Sequence, residues 1–166
     1  ILQRPPGGLI TLEEDGIATP ADLAGKTVGV TGVPSDNAIL DTIMADAGSN
    51  SDEADVVTIG FNGVQSLEAG KVQAFTGFIP ADGVQVEADG YKTKSFPLDE
   101  NGGPSYPGLV AFSTETMIAD DPDLMKGFVE ATIKGYQDAL ADPEAALTSL
   151  EDQTQGLDPE LQKQVF

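Results

Sequence analysis

The chain of 166 residues is long enough for one well-packed domain, or for one domain and part of another. Its 28 acidic and 8 basic residues give a net charge of -20, which disfavours binding to nucleic acids and to anionic membranes. The absence of Cys and His excludes disulfides, Cys/His zinc sites, thiolate nucleophiles and Ser-His-Asp triads. Carboxylate chemistry remains open, as a pair of catalytic acids or a site for a hard cation.

Predicted strands and helices alternate through the first two-thirds of the chain. Strand patterns lie at residues 8–13, 27–30, 56–59, 72–78 and 92–96. Helices or single helical turns are predicted between them, at residues 19–23, 35–47, 64–69 and 81–88. Such alternation predicts parallel strands joined by right-handed crossovers, so residues 20–105 are expected to form one α/β lobe.

The last third of the chain is predicted to be mainly helical. A loop or hinge rich in Gly, Pro and Asp at 98–107 precedes one more predicted strand at 109–112. Asp-Pro pairs at 121–122, 142–143 and 158–159 then indicate three helix starts. The first of these helices has apolar residues at helical spacing, namely Met125, Phe128, Val129, Ile133, Tyr136 and Leu140. These helices need a surface to pack against, so we expect a partner lobe and interpret the chain as part of a longer protein.

Three loops are candidates for a ligand site. In open α/β sheets, ligands bind in the crevice beyond the carboxyl ends of the strands. Loops that combine glycine with hydrogen-bonding side chains leave such ends at 31–37, 60–63 and 76–83. No phosphate-binding or dinucleotide-binding glycine motif follows a predicted strand. We therefore expect a small-molecule site formed by these three loops.

The first loop carries a charge that affects the choice of ligand. Ser35 is predicted to cap the following helix, and Asp36 lies in its first turn. A helix N-terminus attracts anions, and Asp36 itself satisfies part of that attraction. An anionic ligand such as nitrate or a sulfonate would be repelled, whereas a neutral or amine-bearing ligand would not. The alternative is that Ser35 and Asp36 only stabilise the start of the helix.

Aromatic and acidic residues in the other two loops suit a flat, amine-bearing ligand. Phe61 and Phe78 stand beside glycines where strands end, so that their rings can stack on a heterocycle. Asp82 can accept hydrogen bonds from an exocyclic amine. The alternatives are that both rings are ordinary core residues and that Asp82 is a solvated carboxylate at a helix start.

Several segments resemble a known protein family. Residues 16–30 resemble the entry into the second lobe of type II periplasmic binding proteins of ABC importers. Within that superfamily the chain resembles the thiamin-pyrimidine-binding branch at Gly-Val-Pro-Ser-Asp (32–36), Ile-Gly-Phe-Asn (59–62), Gly-Lys-Val-Gln-Ala (70–74), Thr-Gly-Phe (76–78) and Tyr-Pro-Gly-Leu-Val (106–110). Residues 121–124 and 141–144 resemble the C-terminal helices of that branch.

The resemblance implies a fold and a division of the chain. The fold is an α/β lobe of the type II periplasmic-binding-protein class, with a mixed, mostly parallel sheet flanked by helices, plus C-terminal helices of the other lobe. Residues 1–16 would cross between the lobes, and 17–106 would form the second, ligand-binding lobe. Residues 107–166 would supply the return strand and C-terminal helices of the first lobe, whose remainder would lie upstream of Ile1.

The resemblance also implies a function. The protein would be the extracytoplasmic substrate-binding component of an ABC importer, which captures a small thiamin-precursor-like pyrimidine between two lobes and delivers it to a membrane permease. No cofactor, metal or catalytic step is implied. The ligand-binding residues predicted on the loops are Gly32, Pro34, Ser35, Asp36, Asn37, Phe61, Thr76, Phe78, Asp82 and Tyr106. Alternatives are a binding protein for alkanesulfonate, taurine or nitrate, a carboxylate-dependent hydrolase, and a sensory module.

The chain departs from the family pattern at three positions. Gln73 stands where relatives usually carry Asp, and Ile79 and Asp82 stand where they often carry Trp and Glu. Without the Trp, one stacking platform is lost, and the shorter acid changes the reach of its hydrogen bonds. The same fold includes a fungal-type enzyme that makes the thiamin pyrimidine from its own histidine beside a cysteine-rich motif. This chain has neither residue type, so we expect no such enzyme.

Overall fold

Five strands form one sheet in the computed structural model, which describes residues 5–165. The strands are β1 (Gly7–Leu12), β2 (Thr27–Val30), β3 (Asp55–Thr58), β4 (Ala74–Phe78) and β5 (Thr93–Pro97). Their order is β3-β2-β4-β1-β5. Strand β2 pairs in parallel with β3 and β4, whereas β1 pairs antiparallel with β4 and β5. All strands except β1 therefore run in one direction, which confirms the predicted mixed, mostly parallel sheet.

Strand β1 is buried at every residue. It lies between two other strands and its side chains enter cores on both faces of the sheet, Leu9 on one side and Ile10 on the other. Gly8 permits the close approach of β5, because a Cβ there would lie 2.5 Å from the Phe96 carbonyl oxygen. The segment 1–16, which the resemblance assigns to a crossing between lobes, thus contributes a strand to this sheet; residues 1–4 lie outside the described part of the chain.

Helices cover both faces of the sheet. Helix α1 (Pro34–Asp46) packs Leu40, Ile43 and Met44 into the core cluster that contains Leu9. Helices α2 (Gly63–Glu68) and α3 (Val84–Ala88) pack on the opposite face, with Ile10 and Phe75. From helical spacing, the sequence predicts an apolar face at Ala38, Ile39, Ile43, Met44 and Ala47. Ile43 and Met44 are buried as predicted, whereas Ala38 is exposed and the buried Leu40 was not predicted.

The second unit of the chain, Val110–Phe166, is mainly helical in its described residues. It contains α4 (Glu115–Asp120), α5 (Pro122–Ala141), α6 (Pro143–Gln153) and α7 (Pro159–Val165). The predicted Asp-Pro helix starts are confirmed, because each Asp side chain accepts a hydrogen bond from a backbone N–H in the first turn that follows. The strand predicted at 109–112 is wrong, since this segment has no strand pairing with any described residue.

The apolar residues of α5 are largely exposed. Phe128, Val129 and Ile133 are 56%, 49% and 48% exposed. In the described part of this unit, the large apolar side chain that is buried is Leu147, on α6. The described part of this unit therefore buries little apolar surface, and the partner lobe that we expect to cover it stays a prediction.

Candidate ligand-binding cleft

A cleft of about 300 Å³ opens where β2, β3 and β4 end and their loops begin. The carboxyl ends of parallel strands are where α/β sheets bind ligands. Among the ten predicted site residues, those that line the cleft are Ser35, Asp36, Phe61, Thr76, Phe78, Asp82 and Tyr106. The three predicted loops thus meet at one cleft, although ligand binding by these residues stays a prediction.

Gly32, Pro34 and Asn37 do not line the cleft. Gly32 has a φ of 100°, a left-handed backbone conformation that glycine adopts without strain. Pro34 is the first residue of α1, where its missing N–H costs nothing. Asn37 is exposed on the same helix. Gly32 and Pro34 shape the loop, and none of the three offers a side chain to the cleft.

Asp36 ties the first loop to the start of α1. It is 8% exposed, and its Oδ2 accepts hydrogen bonds from the Thr31 backbone N–H at 2.7 Å and from Thr31 Oγ1 at 2.5 Å. Its second oxygen, Oδ1, accepts none from residues 5–165. The predicted capping role of Ser35 is wrong, because Val33 occupies the N-cap position without a side-chain hydrogen bond. Sequence reasoning also missed Thr31, whose only signal was a hydroxyl five residues before an acid.

Asp82 holds the third loop in a similar way. Its Oδ2 accepts the Phe78 backbone N–H at 2.7 Å, across the wide turn Ile79–Gly83. A Cβ on Gly77 would lie 2.7 Å from this oxygen and 2.7 Å from the Phe75 ring, so only glycine fits there. Asp82 thus lies in the first turn of this segment and is half-buried, as the alternative of a helix-start carboxylate expects, and its Oδ1 accepts no hydrogen bond from the described residues.

Two phenylalanine rings stand at the cleft in contact with solvent. Phe61 is 88% exposed and Phe78 is 62% exposed, so neither is a core residue and that alternative is wrong. The core residue of this region is Phe75, which is 2% exposed and which the sequence analysis did not select. Its ring occupies the space that a Cβ on Gly63 would need, and it forms part of the cleft wall. Exposed rings beside polar groups are typical of ligand-binding surfaces.

Thr76 differs from the other polar residues of the cleft. It is 3% exposed, and its Oγ1 is shielded from solvent without a hydrogen-bond partner in the described part of the chain. Buried hydroxyls usually have a partner, because an unpaired one loses its bonds to water without compensation. The residue was predicted from its place in the loop motif, whereas the isolation of its hydroxyl depends on tertiary structure.

Charge at the cleft is negative. Asp36 and Asp82 are its ionisable acids, and the side chains that line it include neither Lys nor Arg.

Two departures from the family pattern are explained by their positions. Gln73 precedes β4 at the far end of the strand, where its Oε1 accepts the Thr27 backbone N–H at 3.1 Å. Ile79 packs against the core cluster below the cleft.

A family model described as NMT1/THI5-like matches residues 1–146. The chain belongs to this family. It is 28% identical over 151 residues to the formylaminopyrimidine-binding protein of Halalkalibacterium halodurans, an alignment that covers 90% of this chain and 46% of the relative. It is 30% identical over 151 residues to a 4-amino-5-hydroxymethyl-2-methylpyrimidine phosphate synthase of Legionella pneumophila, covering 88% of this chain and 46% of that protein. The chain thus spans less than half the length of these relatives.

The fold is shared with solved solute-binding proteins. The periplasmic aliphatic sulphonate binding protein SsuA of Escherichia coli superposes with a TM-score of 0.76 at 17% identity, covering 98% of this chain and 56% of that one. The predicted resemblance to type II periplasmic binding proteins, and to their pyrimidine-binding branch, is confirmed. At this identity the structural likeness concerns the fold alone, so the ligand of this chain has to be argued from its own cleft.

Proposed function

We propose that this NMT1/THI5-like chain is the ligand-binding part of an ABC importer's substrate-binding component, and that its ligand is a small thiamin-precursor-like aminopyrimidine. The observation that carries the proposal is the combination of two exposed phenylalanine rings with two carboxylates and no basic side chain at one cleft. Flat rings stack on aromatic side chains, and amines donate to carboxylates. The formylaminopyrimidine-binding relative supports the same ligand class.

The two carboxylates can serve a ligand because each has one oxygen left. Asp36 and Asp82 both use Oδ2 to accept backbone N–H groups, which fixes the orientation of the carboxylate before any ligand arrives. The Oδ1 of each carboxylate is then a pre-oriented acceptor for an exocyclic amine. Pre-orientation lowers the entropic cost of binding.

Anionic ligands are the alternative within this fold. A sulfonate or nitrate at the cleft would lie near Asp36 and Asp82 without a lysine or arginine among the lining residues. Like charges at about 4 Å repel by roughly 1 kcal/mol in water and by more where water is excluded. The cleft of this chain therefore favours the amine over the anion.

Catalysis is the alternative from another class. One relative is named as a pyrimidine phosphate synthase. The 166 residues contain no histidine from which a pyrimidine could be made, and they span less than half of that relative. A hydrolase based on Asp36 and Asp82 would need both carboxylates to face one bond of the substrate, and the Oδ2 of each is already held by a backbone N–H. We therefore propose binding without chemistry.

The site of action and the partner follow from the proposed role. The protein would work outside the cytoplasm and deliver its ligand to a membrane permease, as expected of proteins that share this fold. Between residues 5 and 165, none of the helices combines the length and the apolar character needed to cross a bilayer.

The test is a titration of the isotope-labelled chain, followed by two-dimensional amide NMR. We expect saturable shifts at Phe61, Thr76 and Phe78 with 4-amino-2-methylpyrimidine and none with taurine or nitrate. Asp36→Asn keeps an acceptor for Thr31. The substitution should weaken binding of the aminopyrimidine and reduce the discrimination against anions. Asn37→Ala, on the same helix but outside the cleft, is the matched control and should change neither. Shifts caused only by the anions would contradict the proposal.

A further inference from the structure

The buried hydroxyl of Thr76 has a counterpart in the same sheet that is fully paired. Thr11, on β1, is 0% exposed, and its Oγ1 donates to the Gln73 carbonyl oxygen at 2.6 Å. Thr76, on β4, is 3% exposed, and its Oγ1 has no partner between residues 5 and 165. The difference between the two positions is that Thr76 lines the cleft. Because this hydroxyl is shielded from water, a small rotation of the Thr76 side chain toward the cleft is needed for a bound molecule to supply the missing partner.

The cleft beside Thr76 is lined by rings and aliphatic side chains. Side chains two residues apart on a strand share one face and lie about 7 Å apart, so Phe78 stands on the same face as Thr76. Opposite Phe78, the pairing residue on β1 is Gly7, which has no side chain. A Cβ on Gly7 would lie 3.2 Å from Ile39 Cδ1 and 3.4 Å from Tyr106 Oη, so these two side chains already occupy the space over this glycine. Ile39, Phe78 and Tyr106 also line the cleft, and Thr76 lies two residues deeper on the strand than Phe78.

We propose that Thr76 determines specificity by donating its Oγ1–H to a ring nitrogen of the ligand; this step rests on the proposed function. In a 4-aminopyrimidine, a ring nitrogen lies next to the carbon that carries the amine, so one edge of the molecule presents an acceptor beside a donor. A hydroxyl together with a carboxylate Oδ1 of Asp36 or Asp82 is the complementary pair. The ligand class is therefore narrowed to heteroaromatic amines with a ring nitrogen adjacent to the amine. A site that contains a buried hydrogen-bond donor binds poorly any analogue that lacks the acceptor atom, because the donor then stays unpaired.

The experiment compares two ligands against matched variants. The ligands are 4-amino-2-methylpyrimidine and 3-methylaniline, which has the same ring, amine and methyl group but carbon in place of both ring nitrogens. The variants are Thr76→Val, which replaces the hydroxyl by a methyl group of similar size, Thr76→Ser, which restores it, and Thr11→Val as the control. Dissociation constants are measured by NMR titration, and thermal unfolding is recorded for each variant without ligand.

We expect Thr76→Val to raise the dissociation constant of the pyrimidine about tenfold, because one buried hydrogen bond is lost. The dissociation constant of 3-methylaniline should not change. Thr76→Ser should restore pyrimidine binding. Without ligand, Thr76→Val should unfold at the wild-type temperature or above it, whereas Thr11→Val should unfold lower, since only Thr11 loses an existing bond.

The role of Thr76 is overturned if Thr76→Val binds the pyrimidine as wild type does, or if it weakens both ligands equally. It is also overturned if Thr76→Val unfolds well below wild type, because its hydroxyl would then have a partner within the protein. Failure of wild type to bind either aromatic amine would overturn the proposed function and this role together. Binding of both ligands with equal affinity by wild type would contradict the Thr76 role alone.

Discussion

At the scale of single residues, the cleft depends on polar groups that stabilise its own loops. Asp36 and Asp82 lie in different loops, yet each accepts a backbone N–H through Oδ2 at 2.7 Å. Such hydrogen bonds to charged acceptors contribute about 1.5–3 kcal/mol where they are shielded from water. The residues that were chosen from sequence as ligand contacts are therefore also structural, and a simple alanine substitution would confound the two roles.

Gly77→Ala tests the close packing beneath the third loop. The new methyl group would collide with Asp82 Oδ2 and with the Phe75 ring, both 2.7 Å from its position. We expect a loss of about 1–3 kcal/mol in the free energy of unfolding, measured by urea denaturation with far-UV circular dichroism. NMR should show the Phe78 amide displaced, because its acceptor is pushed away.

Gly83→Ala is the matched control on the same loop. Gly83 has helical angles, φ -63° and ψ -44°, and the nearest atoms to an added Cβ lie at 3.9 Å and 4.0 Å. The methyl group fits and restricts the unfolded chain, so stability should stay the same or rise by up to about 1 kcal/mol. Equal destabilisation by the two substitutions would show that neither glycine position accepts a methyl group, which would contradict the open space around Gly83.

At the scale of elements, the strands of the sheet were predicted well because their apolar runs are short and end in glycine or polar residues. Strand β1 was also found, but not its antiparallel direction, since direction depends on which neighbours a strand meets. The strand at 109–112 was predicted from composition alone, and the described structure supplies no partner for its backbone groups. Helix α4 was missed because Thr114, whose side chain caps it by accepting the Met117 backbone N–H, was not recognised as a helix start.

Glu68 at the end of α2 and Asp89, directly after α3, are two acids whose contact should make stability depend on pH. Burial raises the pKa of Glu68 above its ordinary value of 4.5, and Asp89 raises it further through a hydrogen bond to the protonated form and through its negative charge. Gln85 Nε2 holds Asp89 by donating to its Oδ2 at 2.9 Å. The protonated form of Glu68 is thus favoured in the folded protein relative to the unfolded chain.

The sign of the pH effect follows from that raised pKa. Below pH 4.5 Glu68 is protonated in both states and its contribution to stability is fully present; it is lost as the pH rises through the folded-state pKa. We expect Glu68→Gln to remove this loss, because the amide can donate to Asp89 without ionising. The measurement is the free energy of unfolding from pH 4 to 7, in which the difference between variant and wild type should grow with pH. A difference that is constant with pH would contradict the assigned contact.

At the scale of the whole molecule, the two units differ in how much apolar surface they bury. The first unit, Ile1–Leu109, has a core on each face of its sheet. In the second unit, Met117, Ile118 and Phe128 are each at least half exposed and line a groove of about 760 Å³. The helical periodicity of α5 predicted which residues are apolar, but periodicity alone cannot state what covers them. Tertiary contacts were also missed at the cleft: its loops were predicted from sequence, whereas the hydrogen bond between Thr31 and Asp36 was not.

This difference predicts unequal protection against hydrogen exchange. Amide groups exchange slowly where opening would expose much apolar surface, and quickly where little is buried. In the 166-residue chain, the amides of β1 and β4 should therefore be the most protected, because β1 is buried at every residue and β4 pairs with it. The amides of α5 should exchange faster despite their intact helical hydrogen bonds, since no side chain of this helix is buried within the described residues. Mass spectrometry of peptic fragments, with exchange times from seconds to hours, measures both segments in one sample. Protection of α5 equal to that of β1 would show that the apolar face of α5 is covered in solution. That result would contradict the prediction that the second unit opens more easily than the first.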